Sequence, residues 1–274
     1  MDFSLRTTAS MLILVGAIWA TVPGSAALAQ APSDKPQNPL EVKPPAKGEE
    51  KAYKAWQHFQ SIPDSEVEKK TAAGEEFLSK FANSSYATYV YQYLAVAYIR
   101  SGQVDKGIAT GEKDIEVNPS DFRTMAVLGQ TLSRTVTDAT PDAASKLAKA
   151  ESYAKNAIAG VANWVRPDSM SEETFNNLRN DTLAMAHASL GLVAIRRNNF
   201  DTAIPELEQA VQLGSNSDPT SYYLLGLAQQ NSGHPDKAVR NFEKCAAVKG
   251  TNLTSTCTVL MEQSQKDAQS KPKP

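Results

Sequence analysis

One short pattern recurs four times between residues 91 and 242, and it limits the fold more than any other feature of the chain. An aromatic or bulky residue is followed three positions later by Leu, then at once by a small residue. Twelve residues on comes a second small residue, with an apolar or small one four beyond it. Tyr222, Leu225, Gly226, Ala238 and Phe242 form the cleanest copy, and His187, Leu190, Gly191, Ala203 and Leu207 repeat it. Tyr91, Leu94, Ala95, Gly107 and Gly111 are a third, closed by Asn118-Pro119. Met125, Leu128, Gly129, Ala150 and Ala154 are a fourth, with a step of 21 where the others show 12. Ala95 to Gly129 is 34 residues and Gly191 to Gly226 is 35. A fixed period of this length marks a stacked array, in which each unit buries its apolar face against its neighbours.

This period, with small residues on facing helices, resembles the tetratricopeptide repeat, a helix–turn–helix unit that stacks into a solenoid. The resemblance implies an all-α, right-handed α-solenoid of five helix pairs with a C-terminal capping helix. Glu50–Ile62 and a second helix ending at Phe81 supply a degenerate first pair, with Asp64 or Ser65 as the cap of the second helix. The run from Phe77 to Ala87 resembles the repeat endings of many bacterial envelope proteins, with Ala82 where those carry Pro. Ser255–Asp267 reads as the closing helix, which a solenoid needs to cover its last apolar face. The helix before Asn198 is expected to be the longest, with Ser171 as its cap and Glu172 and Glu173 in its first turn. The step from Gly129 to Gly191 exceeds one period by 28 residues. The excess divides into two insertions, at 135–147 and 160–177, expected to lie near each other or on one rim.

The two ends read differently from this array. Residues 1–29 carry Arg6, an apolar run from Met11 to Val22 and a small-x-small motif at Ala27-Leu28-Ala29, the pattern of a secretory signal peptide cleaved before Gln30. Residues 30–49 are rich in Pro and Lys, with Pro36, Pro39, Pro44 and Pro45, and read as a disordered linker. Residues 50–268 form the repeat domain, and 269–274 a disordered tail. The expected protein is exported, periplasmic or secreted, with no membrane span in the mature chain.

Composition narrows function further. Lys and Arg total 28 against 30 Asp and Glu, a net charge of −2 that argues against a nucleic-acid partner. The three histidines, His58, His187 and His234, have no paired metal-ligand spacing, and no nucleophile elbow or phosphate-binding loop is present. No metal, cofactor or catalytic residue is expected. Three Asn-x-Ser/Thr triplets are given no role. Trp56 reads as core of the first pair; Trp164, in the second insertion, reads equally as core or as a partner anchor.

What the resemblance implies is a binding surface. The first helix of each pair carries one packing stripe and a second stripe that in the family lines a concave groove. Its members here are Tyr89, Tyr93, Arg100, Arg123, Gln130, Arg134, Leu192, Arg196, Leu224, Leu227 and Asn231. The expected partner is a protein or peptide; the alternative is a small ligand or glycan strand. Arg100, Arg134 and Arg196 each fall five residues after a small residue. A row of guanidinium groups can grip carboxylates, and equally a cation in a helix's last turn is favoured by the macrodipole whatever is bound. Cys245 and Cys257 are expected to form a disulfide that pins the closing helix.

Overall fold

A computed structural model describes residues 44–137, 139–214 and 218–270. The proposed signal peptide, the linker up to residue 43 and the last four residues lie outside the described residues. Among those described there are eleven α-helices and no strand. They pair as α1 (Glu50–Ser61) with α2 (Val67–Phe81), α3 (Ala87–Arg100) with α4 (Val104–Val117), and α5 (Phe122–Thr135) with α6 (Ala143–Ala162). Next come α7 (Glu172–Arg196) with α8 (Phe200–Leu213), α9 (Pro219–Asn231) with α10 (Pro235–Ala247), and the closing helix α11 (Thr254–Ser270). The expected α-solenoid of five pairs and a cap is the observed architecture.

The small residues work as the spacing implies. A Cβ on Gly191 would stand 2.4 Å from Leu207 Cγ, and one on Gly226 would stand 2.7 Å from the Phe242 ring. Only hydrogen at these positions lets α8 and α10 close onto α7 and α9. Leu207 and Phe242 are fully buried as a result, each stabilising the array by about 1.5–3 kcal/mol through area removed from water. Helix starts follow local chemistry. Ser171 Oγ accepts the Thr174 N–H at 3.1 Å, Asp121 caps α5 and Asp218 caps α9, and Pro219 and Pro235 occupy first-turn positions where a missing N–H costs nothing. Asp64 does not cap α2, whose N-cap is Glu66; its carboxylate instead pairs with Lys70 at 2.6 Å.

The odd-numbered helices form one layer, with α3 against α5, α5 against α7 and α7 against α9. Each even-numbered helix packs on its own partner and on the next odd-numbered helix. Order begins before Glu50, because residues 46–49 form a turn and Glu49 accepts the Ser85 N–H at 2.7 Å.

The two insertions do not meet. They sit at opposite ends of α6, a 20-residue helix about 30 Å long at 1.5 Å per residue. The first is a turn segment held down by Val136 and Leu147, both buried. The second folds back so that Trp164, 6% exposed, wedges between Phe122 and Phe175, with ring centroids 5.0 Å from each. Trp164 is therefore core. The same insertion gives α7 three extra turns, making it the longest helix at 25 residues.

Candidate functional site

The second stripe of the odd-numbered helices is continuous in sequence register but not in exposure. On α3, Tyr89 and Tyr93 are half-buried and Arg100 is exposed. The first pair braces both tyrosines. Trp56 stands 5.8 Å from the Tyr89 ring, Phe59 meets Tyr93 edge-on at 5.4 Å, and the Lys70 ammonium lies 5.2 Å over Tyr93. On α5, Arg123, Val127 and Gln130 are half-buried and Arg134 is exposed. Leu227 and Asn231 on α9 are half-buried and exposed respectively.

Leu192 and Leu224 are corrections to the expected groove. Each is 7% exposed, and both belong to one apolar cluster with Ile195, Leu207 and Leu225. Ser189, on the same stripe of α7, is also fully buried. The physical reason is that α8 fills the seam between α7 and α9 with Ala203 and Leu207, which join both leucines in that cluster, while Ser189 lies against Gly129 of α5. A helical wheel gives the direction of a side chain from its own axis; it does not give the angle at which the next helix arrives.

The arginine row is also rearranged. Arg100, Arg134 and Arg196 each occupy the last turn of their helix, where the backbone carbonyl dipoles favour a cation. Arg134 Nη2 pairs with Asp218 Oδ2 at 2.8 Å, while Asp218 Oδ1 accepts the Thr220 N–H at 3.0 Å. One carboxylate thus caps α9 and ties it to the end of α5, two odd-numbered helices away. Arg196 is half-buried, and its Nε has no acceptor. Burial pushes the Tyr223 hydroxyl up and Arg196 pulls it partly back, so α9 lies within electrostatic range of the end of α7. The row is thus divided between helix-end chemistry, an internal ion pair and an interface. Its members do not form one line of free guanidinium groups.

Other expected groups are placed as follows. His187 is partly buried with Nδ1 2.7 Å from Glu206 Oε2, joining α7 to α8. His58 and His234 are exposed. Among the described residues, no three of His, Cys, Asp and Glu come together as a metal-ligating group, and no helix is long and apolar enough to cross a membrane. Cys245 and Cys257 are joined in a disulfide with Cα atoms 5.9 Å apart, both fully buried between α10 and α11.

Sequence reasoning passed over one polar cluster. Asp114 on α4 and Asp121 at the start of α5 are both fully buried. Asp121 Oδ1 accepts the N–H groups of Arg123 and Thr124 at 3.0 and 3.1 Å. Its Oδ2 accepts from Gln92 and from the hydroxyls of Thr88 and Thr124, the last two at 3.4 Å. Asp114, beside it, has no well-formed hydrogen bond on either oxygen and only the Thr88 and Thr124 hydroxyls, shared with Asp121, near enough to ease its charge. Burial first, and then the Asp121 carboxylate, push the Asp114 carboxyl up to about 8. The signal was present in the repeat register: Asp114 stands seven residues after Gly107, where the other copies place Ala157, Ala210 and Cys245.

Comparison with known proteins agrees with this architecture. The tetratricopeptide repeat family model matches residues 219–252, the span of α9 and α10. No curated protein sequence matches the chain. Among solved structures, PilW, described as a widely conserved type IV pilus biogenesis factor, superposes with a TM-score of 0.55 at 14% identity, covering 80% of this chain and 88% of that one. PilF of Pseudomonas aeruginosa gives 0.55 at 12% identity, with 80% and 88% covered. MamA from Desulfovibrio magneticus RS-1, from residue 41 to its end, gives 0.51 at 15% identity, with 79% and 97% covered. These identities speak for the fold alone. One tetratricopeptide repeat is thus matched in sequence, at α9 and α10, and the array as a whole shares its helical-repeat fold with these solved structures.

Proposed function

We propose that this protein is a non-catalytic scaffold of the bacterial cell envelope that holds a peptide segment or a partner protein on the layer of odd-numbered helices. The observation carrying this reading is the half-exposed stretch of the second stripe on α3 and α5. There Tyr89, Tyr93, Arg123, Val127 and Gln130 combine apolar area with polar ends. Side chains of this kind, rigid aromatics with hydrogen-bonding tips and an arginine, dominate the energetics of protein interfaces. These residues are spread along two neighbouring helices, an arrangement that suits an extended segment or a partner helix. Export rests on the amino-terminal pattern alone: a charged residue, a short apolar run and a small-residue cleavage motif.

Two measurements test this. A photo-cross-linking side chain at Gln130 should yield a polypeptide adduct in cells, while the same group at the exposed Glu208 of α8 should not. Equal labelling at both positions, or an adduct of small-molecule mass, would overturn the peptide-binding reading. Mass spectrometry of the protein from the envelope fraction should find Gln30 as the first residue; an intact Met1 would overturn the export reading.

A further inference from the structure

The carboxyl pair at the joint between the second and third helix pairs has no counterpart elsewhere in the array. Seven residues after its second small residue, every other copy carries a small apolar group packed in the seam, Ala157, Ala210 or Cys245. At that position α4 carries Asp114, fully buried. The next helix begins with Asp121, also fully buried. Two carboxylates in contact away from water repel each other and lose their hydration, so one of them must be neutral or neutralised.

The donors decide which one takes the proton. Asp121 receives two backbone N–H groups, the Gln92 amide and the flanking hydroxyls of Thr88 and Thr124. Each hydroxyl has one proton and cannot serve both acids. As an anion Asp114 would have only those two hydroxyls, shared with Asp121, and neither meets it in a well-formed hydrogen bond; as a neutral acid it becomes a donor, and the Asp121 carboxylate is the acceptor within reach. No cation is available to do this instead. From α3 the titratable group facing the pair is Tyr91, whose hydroxyl is pushed up by burial and then by Asp114. On α4 itself the charges beside Tyr91 and Tyr153 are Glu112 and Glu116, and Lys149 of α6 is committed to Glu112 at 2.5 Å. From α5 only Asp121 and Thr124 face it. Among the described residues no Lys, Arg or His pairs with either acid.

We propose that Asp114 and Asp121 share one proton, and that this proton is a structural component of the α4–α5 joint, so that its loss in mildly alkaline conditions loosens the second helix pair from the third. The sign of the pH dependence follows. The folded carboxyl of Asp114 is raised from 3.8 to about 8, so between those values the folded chain holds a proton that the unfolded chain has released. The stabilisation is complete at acid pH and is lost as pH rises through that window. One bound proton corresponds to a tenfold rise in the unfolding constant per pH unit.

The test compares the protein with Asp114→Asn, which keeps the shape of a neutral acid and its ability to donate to Asp121, and with Asp114→Ala, which restores the residue type of the other copies. Urea unfolding is followed by circular dichroism from pH 5 to 9. The ratio of unfolding constants, native over Asp114→Asn, should rise close to tenfold per unit up to about pH 8 and level off above it. Hydrogen exchange in α4 and the start of α5 should speed up over the same range, while α10 stays protected. Parallel pH profiles for the native and variant proteins would overturn the proposal. So would stabilisation of the native protein at pH 9 by millimolar calcium that Asp114→Asn does not share, since the pair would then hold a cation rather than a proton. Should neither variant fold, the infrared carbonyl band of a protonated carboxyl decides the matter in the unaltered protein. It must be present at pH 6 and gone above about pH 8, and its absence at pH 6 would refute the proposal.

Discussion

Replacing Trp164 with alanine should cost about 3–5 kcal/mol, the range for removing a large aromatic from a packed core. The value rests on geometry at the second insertion: the indole is 6% exposed and meets Phe122 and Phe175 edge-on, with both centroids 5.0 Å away. Those rings open α5 and α7, so the cavity would sit where two odd-numbered helices begin. The indole Nε1–H is buried with no acceptor, and a buried unsatisfied donor costs about 1–3 kcal/mol. Trp164→Phe discards that donor while keeping most of the apolar surface, and should fall within about 1 kcal/mol of the parent. At about 2–4 °C per kcal/mol for a domain of this size, the alanine variant should melt on the order of 10 °C lower and the phenylalanine variant close to the parent. Thermal melts followed by circular dichroism at 222 nm, with hydrogen exchange to localise the loss to α5 and the first turns of α7, make the measurement. A melting temperature unchanged by Trp164→Ala would refute the argument that the insertion packs as a wedge.

Three further outcomes follow from the same packing. The disulfide closes a loop with a sequence separation of 12, so replacing both cysteines with alanine should lower stability by about 3 kcal/mol on the chain-entropy account and speed exchange in α11; undiminished protection there would count against it. Gly191→Ala places a methyl 2.4 Å from the buried Leu207. Overpacking of about 1–3 kcal/mol should exceed the roughly 1 kcal/mol gained in helix propensity, and a stabilised variant in urea melts would refute the close-approach argument. Asp218→Ala removes both a cap and an ion pair and should cost about 1–2 kcal/mol. Arg134→Ala, losing only a pair whose side chains are 41% and 39% exposed, should cost less than about 1 kcal/mol; equal costs in parallel denaturation curves would contradict that division.

Much of the fold was legible because it is written as local spacing. The residues at the small positions, Gly191 and Gly226 among them, locate both helices of each pair, and Ser171 and Pro219 locate helix starts. The site was less legible because it depends on how helices meet. Leu192 and Leu224 share the stripe of Gln130, yet the seam that α8 fills between α7 and α9 buries them. Arg134 and Asp218 stand 84 residues apart, and no periodicity relates them. The two insertions were separable in principle, since a helix the length of α6 must hold its ends far apart. Asp114 was visible as a carboxylate in a small-residue register, but its meaning required the position of Asp121.

A stack of helix pairs has two ends from which it can unravel, since each unit is held only by its neighbours. The cross-link between Cys245 and Cys257 makes those ends unequal. Peeling from the carboxyl side would have to carry α10 and α11 away together, as one covalently joined unit. At the amino side, α1 is held by the aromatic cluster around Trp56 and by the Glu49–Ser85 hydrogen bonds, all of which can open one at a time. Under heat, denaturant or a pull on the chain, disassembly therefore has a direction: it starts at the first pair and runs toward the sealed end.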